Sequence, residues 1–462
     1  MMKLQPTTER LGKAPLGRLL LSLSLPGIVS MTVMALYNII DTFWVARLGY
    51  EAIAALTVVL PYHILSIAIA VGSGVGVSAL TSRRFGEHNV EAANMAAGQI
   101  FPIAGIFGSL LLVVAVLFPR TVLVIGGATP DIMGYGTQYL VIIAFGTPFL
   151  VFAYTAGSLL RGSGDALRPM IFMLTGTVIN IILDPLLIFG IGPFPEMGVK
   201  GAALATVIAL IINAGLILYY IVANKSVYRI RLAYLKPRLR VLFDIYRVGF
   251  PSMVTTALEG VVFALFNNAL ASFSSLAIAA GGIAIRIADL AFMPIFGVAQ
   301  GLLPIVGFCF GACLWKRLWL AVRLASISLV LFIGMILVLL EFFAPELIGL
   351  FSSDPELLAM AVPGIRIALS SLVIVGPTIM FVTAFQGMAK GKEAMILSLA
   401  RWLVFFIPLV VFLPRILGIY GVWMSLPISD VLAFVMSGVW LFREYKLRQV
   451  QVIAEGCHVL LE

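Results

Sequence analysis

The chain has little charge. Only 11% of its 462 residues are Asp, Glu, Lys or Arg, against 61% hydrophobic, and its mean hydropathy is +1.11. A soluble domain needs a wetted surface, so this balance excludes an ordinary globular fold. Cysteine and histidine are scarce too, with three of each. So few cysteines over this length argue against a disulfide framework. His63, His88 and His458 are scattered and offer no histidine-based proton relay. Intramembrane HExxH, GxSxG and paired GxGD motifs are missing, which argues against a membrane-embedded enzyme. Apolar/polar alternation is absent, so a β-barrel is excluded, and no filter-like loop offers the selectivity element of a channel. Gly72-Ser-Gly-Val-Gly76 follows no strand, so it reads as close helix packing and not as a nucleotide loop.

What the chain does have is long apolar runs. They read as twelve membrane-spanning helices, roughly 16–47, 52–81, 92–118, 133–160, 166–191, 199–224, 241–271, 276–308, 318–343, 357–389, 394–414 and 419–442. TVLVIGGAT at 121–129 is too short to span and is expected at the interface. The polar start, MMKLQPTTERLGKAPLGR, lacks a small-residue cleavage site, so the first run reads as a mature span.

The net charge of +9 is not a nucleic-acid signature, because the basic residues lie in connections between spans. They gather on one side: Arg83, Arg84, Arg161, Arg168, the stretch from Lys225 to Arg247, Lys316, Arg317, Lys390, Lys392 and both chain ends. The positive-inside rule then puts both termini in the cytoplasm. The loop KSVYRIRLAYLKPRLR (225–240) separates a first set of six spans (1–224) from a second (241–462) and reads as a basic linker touching anionic headgroups.

The two sets are copies. A shift of about 225 residues brings Pro26 onto Pro251, EAIAA (51–55) onto LAIAA (276–280), Gly72 and Gly76 onto Gly297 and Gly301, and RG (161–162) onto QG (386–387). After a short offset, GVKGAA (198–203) meets GIYGVW (418–423). An even number of spans per copy gives both the same orientation, related by a pseudo-two-fold axis along the membrane normal.

Two acids stand inside the spans of the first copy, Asp41 and Asp184, with no adjacent base. An acid in hydrocarbon costs about 2.5–3.5 kcal/mol on insertion scales, so each implies a function or a partner. Tyr37 and Asp41 are four apart, Asn38 and Asp41 three, and Asn180 and Asp184 four, so each set shares a helix face. Two acids with amide and hydroxyl oxygens make a hard-cation cage or a shared-proton site. In the second copy Phe266 and Leu409 fall opposite the acids. It carries instead Glu259, and Arg286 with Asp289 at a spacing that lets them neutralise each other. Pro26 and Pro251 lie inside the first and seventh spans and are expected to bend them.

Two six-span halves, the Pro and then Asp of the first span, LLRGSGDALRPM and FQGMAKGKEA together resemble the multidrug and toxic compound extrusion (MATE) family over essentially the whole chain. Both acids in the first half resemble its DinF-like branch, with archaeal members looking closest. The resemblance implies an all-α fold of two six-helix bundles in a V. It implies export of amphipathic, often cationic, organic compounds against sodium or proton entry, by a monomer in the cell membrane, with no cofactor and no nucleic acid. It assigns Asp41, Asp184, Tyr37 and Asn180 to a cation site, with Thr206 the candidate hydroxyl from the sixth span, although Ala202 occupies the previous turn. Other branches use a Glu in the seventh span, which keeps Glu259 open. Met31, Met34, Met173, Phe152 and Met253 are candidates for an adaptable apolar drug pocket. The alternative is a lipid-linked oligosaccharide flippase, in which cavity cations would meet the pyrophosphate, but Arg286 and Arg366 are the only evident intramembrane cations.

Overall fold

A computed structural model describes residues 6–349 and 354–454; His458 lies outside them. Among the described residues twelve helices are long and apolar enough to cross a membrane. They are α1 (Leu16–Ala46), α2 (Tyr50–Gly86), α3 (Val90–Leu117), α4 (Met133–Gly162), α5 (Leu167–Phe189) and α6 (Val199–Val222), followed by α7 (Leu239–Ala271), α8 (Ser275–Gly311), α9 (Trp315–Gly349), α10 (Pro355–Gly387), α11 (Gly391–Leu417) and α12 (Ile419–Gln449). The apolar runs become helices because no water in a bilayer would satisfy a free peptide group. The 121–129 stretch forms the short helix Pro119–Ile125, which does not span.

Helices α1–α6 pack on one another, as do α7–α12. The halves meet through α1 against α8 and α2 against α7. That seam is backbone on backbone. A Cβ on Gly27 would stand 2.9 Å from the Gly297 carbonyl, and one on Gly72 would stand 2.6 Å from the Gly249 carbonyl. Only glycine permits such approach. The same seam holds the Arg84–Asp244 ion pair at 3.7 Å and the Ser73–Tyr246 hydroxyl contact at 3.0 Å. These contacts fall in the half of the helices nearest the described chain ends, here called the terminal face. The bundles therefore form a V with its apex there.

The helices run unbroken through Pro26 and Pro251. The non-helical break instead falls at Phe343 of α9, two residues before Pro345 (φ −106°, ψ 15°). The 225–240 linker is packed onto the first half. Tyr228 is fully buried and donates to the Leu159 carbonyl at 2.8 Å; burial raises its phenol above the ordinary value, so it remains a donor. Gln99, at a break within α3, donates to the Tyr234 carbonyl and accepts from the Arg238 N–H, each at 2.9 Å.

Candidate functional site

Helices α1, α4, α5 and α6 converge in the first half. Small residues draw α5 and α6 together. A Cβ on Gly176 would stand 3.0 Å from the Ala209 carbonyl, and Gly201 lies against the Leu187 carbonyl. A larger side chain at either position would part the helices and pull Asn180 and Asp184 away from Thr206.

In its satisfied orientation the Asn180 amide donates to Asp184 Oδ2 at 3.0 Å and accepts from the Thr206 N–H at 3.1 Å. Thr206 Oγ1 lies 3.3 Å from the Tyr37 hydroxyl. One turn along α1, the carboxyl of Asp41 comes within interaction distance of that of Asp184. Asp184 is 0%, Asn180 2% and Asp41 9% exposed. Five residues separated by up to 169 positions thus share one cluster, and Thr206 belongs to it despite Ala202.

Two bare carboxylates so close together away from water would repel each other, and a shared proton or a cation between them would relieve that cost. One oxygen remains over. Asp41 Oδ1 is buried without a partner, as is the indole N–H of Trp44, three residues on. An orphan oxygen in a buried polar cluster is an acceptor left open to a ligand or a water. The donors are all oxygens, two carboxyls, an amide and two hydroxyls, which suit a hard cation. Among the described residues no three His, Cys, Asp or Glu side chains gather as a metal site.

Sequence reasoning missed Tyr139 of α4. Its phenol lies within electrostatic reach of Asp41, Tyr37 and Asp184, and its ring packs against the apolar cluster of Val45, Ala52, Ile188, Val199 and Ala202. Nothing in its own segment signals this; it arrives by packing. Asn38, in contrast, is exposed, because its place on α1 is rotated away from the buried stripe of Asp41 and Val45.

The second half is built differently. Arg286 and Asp289 are both exposed, and no ion pair joins them among the described residues. The buried pair is Arg401 with Asp430, Nε to Oδ1 at 2.8 Å, in which Asp430 also accepts from Ser371 at 2.6 Å. Arg401 lies in a π-helical stretch of α11, Ala400–Phe406, with its guanidinium 4.4 Å from the Trp402 ring centroid. Glu259 is in electrostatic reach of Arg401 and of Asp289. Arg366 pairs with Glu341 at 3.2 Å. Met34 takes the Tyr154 hydroxyl at 3.3 Å, Phe152 packs on Phe101 at 5.4 Å, and Met253 lies against Gly72, while Met31 and Met173 are half-buried.

A duplicated pair of helical bundles holding a buried oxygen cluster is the architecture of a secondary membrane transporter. The MatE family model matches residues 26–186 and 251–412, one match in each half and beginning at Pro26 and Pro251. The chain belongs to the MATE family, a family of multi-pass membrane transporters and not of enzymes. The FAD transporter of Shewanella oneidensis is 28% identical over 420 residues, covering 91% of this chain and 93% of that protein. The multidrug export protein MepA of Staphylococcus aureus is 26% identical over 451 residues, covering 96% and 98%. A solved structure of a multidrug resistance MATE family transporter of the MOP superfamily, in an outward-facing conformation, is similar with a TM-score of 0.91 at 26% identity, covering 97% of this chain and 100% of that one.

Proposed function

We propose that this protein exports amphipathic, often cationic, organic compounds by alternating access, driven by sodium ions or protons that enter through the Asp41–Asp184 cluster. The observation that carries the reading is the contact between two buried carboxyls, one of which keeps an unpartnered oxygen. Tyr37, Asn180 and Thr206 would complete the cation's oxygen shell, with Tyr139 alongside. The likeness to MepA supports drug-like substrates, and the two acids support the DinF-like branch. The basic residues at the terminal face support cytoplasmic termini. The test is transport in proteoliposomes with a sodium or a proton gradient imposed alone. Uptake of a cationic dye driven by neither would overturn the reading.

Asp41 and Asp184 are expected to act as one site. Each single Asn substitution should remove most of the cation affinity, and the double variant should lose little more than either. Cation binding measured on all three by calorimetry decides this; additive losses would mean two separate sites.

Reversing a preference of 1:99 to 99:1 needs about 5.5 kcal/mol of differential binding. We read ion binding, substrate release and a bend of α1 at Pro26 as sharing it, with Pro251 placed equivalently in α7. Pro26→Ala should therefore weaken the mutual antagonism of drug and cation more than it weakens the binding of either alone. Affinities of each ligand with and without the other provide the check, and full antagonism in the variant would reduce Pro26 to a static feature.

The likeness to an FAD transporter favours a second substrate class, flat anionic dinucleotides. The same vesicles loaded with FAD instead of the dye separate the two.

A further inference from the structure

The segment ahead of α1 is a helix, Pro6–Lys13, lying on the terminal face. It touches both halves. Thr8 Oγ1 donates to the Ser163 carbonyl just past α4, 3.3 Å away. From the other half, Arg317 of α9 donates through Nε to the Leu11 carbonyl at 3.0 Å and through Nη2 to the Ala14 carbonyl at 2.5 Å. Leu11 is fully buried, and a Cβ on Gly12 would stand 2.8 Å from the Phe308 ring of α8. The last carbonyls of a helix have no donor within it. A guanidinium fork satisfies two of them at once and meets the negative end of the helix dipole.

The 225–240 linker stands in the same place in its repeat, directly ahead of α7, and it too is seated on the half that does not contain the helix it leads into. The linker has to cross, since it joins the halves. Connectivity makes no such demand of the N-terminal helix, which is held across the seam by Arg317 and the Phe308 contact, while the Leu11 side chain and the Thr7 carbonyl lie against Gly164 of the first half. Opening the terminal face would separate α2 from α8 where Gly307 lies against the Ser82 hydroxyl and Gly86 against the Phe308 carbonyl. The N-terminal helix cannot follow both halves, so either the Thr8 bond or the two Arg317 bonds must break.

We infer that the N-terminal helix is a strap across the closed terminal face, and that its hold through Arg317 sets how readily that face opens. The inference rests on the alternating-access reading above. The strap is a control on the cycle and no part of the cation site, which lies elsewhere, in the first half.

The test is a thiol accessibility measurement on the full chain in proteoliposomes. The native cysteines are replaced by alanine and Ser82, fully buried at the seam, is changed to cysteine. The rate of its modification by a membrane-impermeant maleimide at the terminal face reports opening. Arg317→Ala should raise the rate about tenfold or more, the scale of losing hydrogen bonds to a charged group. Arg317→Lys, with a point charge and no fork, should fall between. A chain lacking residues 1–13 should match Arg317→Ala, and it carries the test if that variant does not fold. An unchanged or slower rate in the folded variants overturns the strap. Failure of the export reading looks different: the wild-type rate would then ignore both ion gradients and added drug, whatever the variants do.

Discussion

Asp41→Asn should abolish ion-driven export while leaving the protein folded. The amide keeps the volume of the carboxyl, so the packing of α1 against α5 and α6 is not disturbed. Asp41 Oδ1 has no partner to lose, and the stability change should stay within about 1 kcal/mol. What disappears is the second of the two carboxyls. Asp184 keeps its Asn180 donor and no longer shares a proton or an ion with another acid. Charge-assisted hydrogen bonds are worth about 1.5–3 kcal/mol each, so cation affinity should fall at least about tenfold, and more where several ligands let go together. Without a coupled ion the gradient does no work on the substrate. The measurement is drug resistance of cells at matched expression, joined to gradient-driven uptake in vesicles. Wild-type resistance in the variant would sink the assignment.

Arg401→Ala should be the most damaging substitution for stability in the second half. It leaves Asp430, 5% exposed, with only the Ser371 hydroxyl. Removing one partner of a buried ion pair costs about 3–5 kcal/mol, because the remaining charge is stranded. The same removal takes a cation away from Glu259 and a stacking partner from Trp402. Replacing both members, Arg401→Met with Asp430→Leu, should recover most of the loss. Thermal unfolding in detergent, followed by size-exclusion, reads both effects. A melting temperature equal to wild type in Arg401→Ala would show that Asp430 finds another partner or is already neutral.

The spans were legible because hydrocarbon imposes length and apolarity on each run separately, and every boundary could be read locally. Asp41 and Asp184 were legible for the same reason, since an isolated acid is conspicuous in such a run. Their meeting was not, and it depends on Gly176 and Gly201 letting α5 and α6 close up. Tyr139 and Arg401 escaped because their roles exist only between helices. Tyr139 is one aromatic residue among many until α4 packs on α6 and carries it to the acids, and Arg401 lies 29 residues from Asp430. Asn38 failed through helical phase: one residue turns the side chain by about 100°, enough to move it from the cluster side to the exposed side. The linker looked like a loop for lipid headgroups because charge dominates its composition. Its docking rests on Gln99 and two tyrosines, none of them unusual in sequence.

The glycine seam between α1 and α8 and between α2 and α7 bears on how such a machine can move at all. Interlocked side chains would have to withdraw and find new rotamers whenever the halves separated, and each step would add a barrier. Peptide against peptide has less to disengage, although Met253 and Ile28 still reach across onto Gly72 and Gly297. Where glycine meets backbone, the halves can part and return with few side chains to reset, which helps keep the open and closed arrangements within the few kcal/mol that ligands can bias. The seam acts as a bearing, and the fine control of the motion is left to the few polar groups that reach across it.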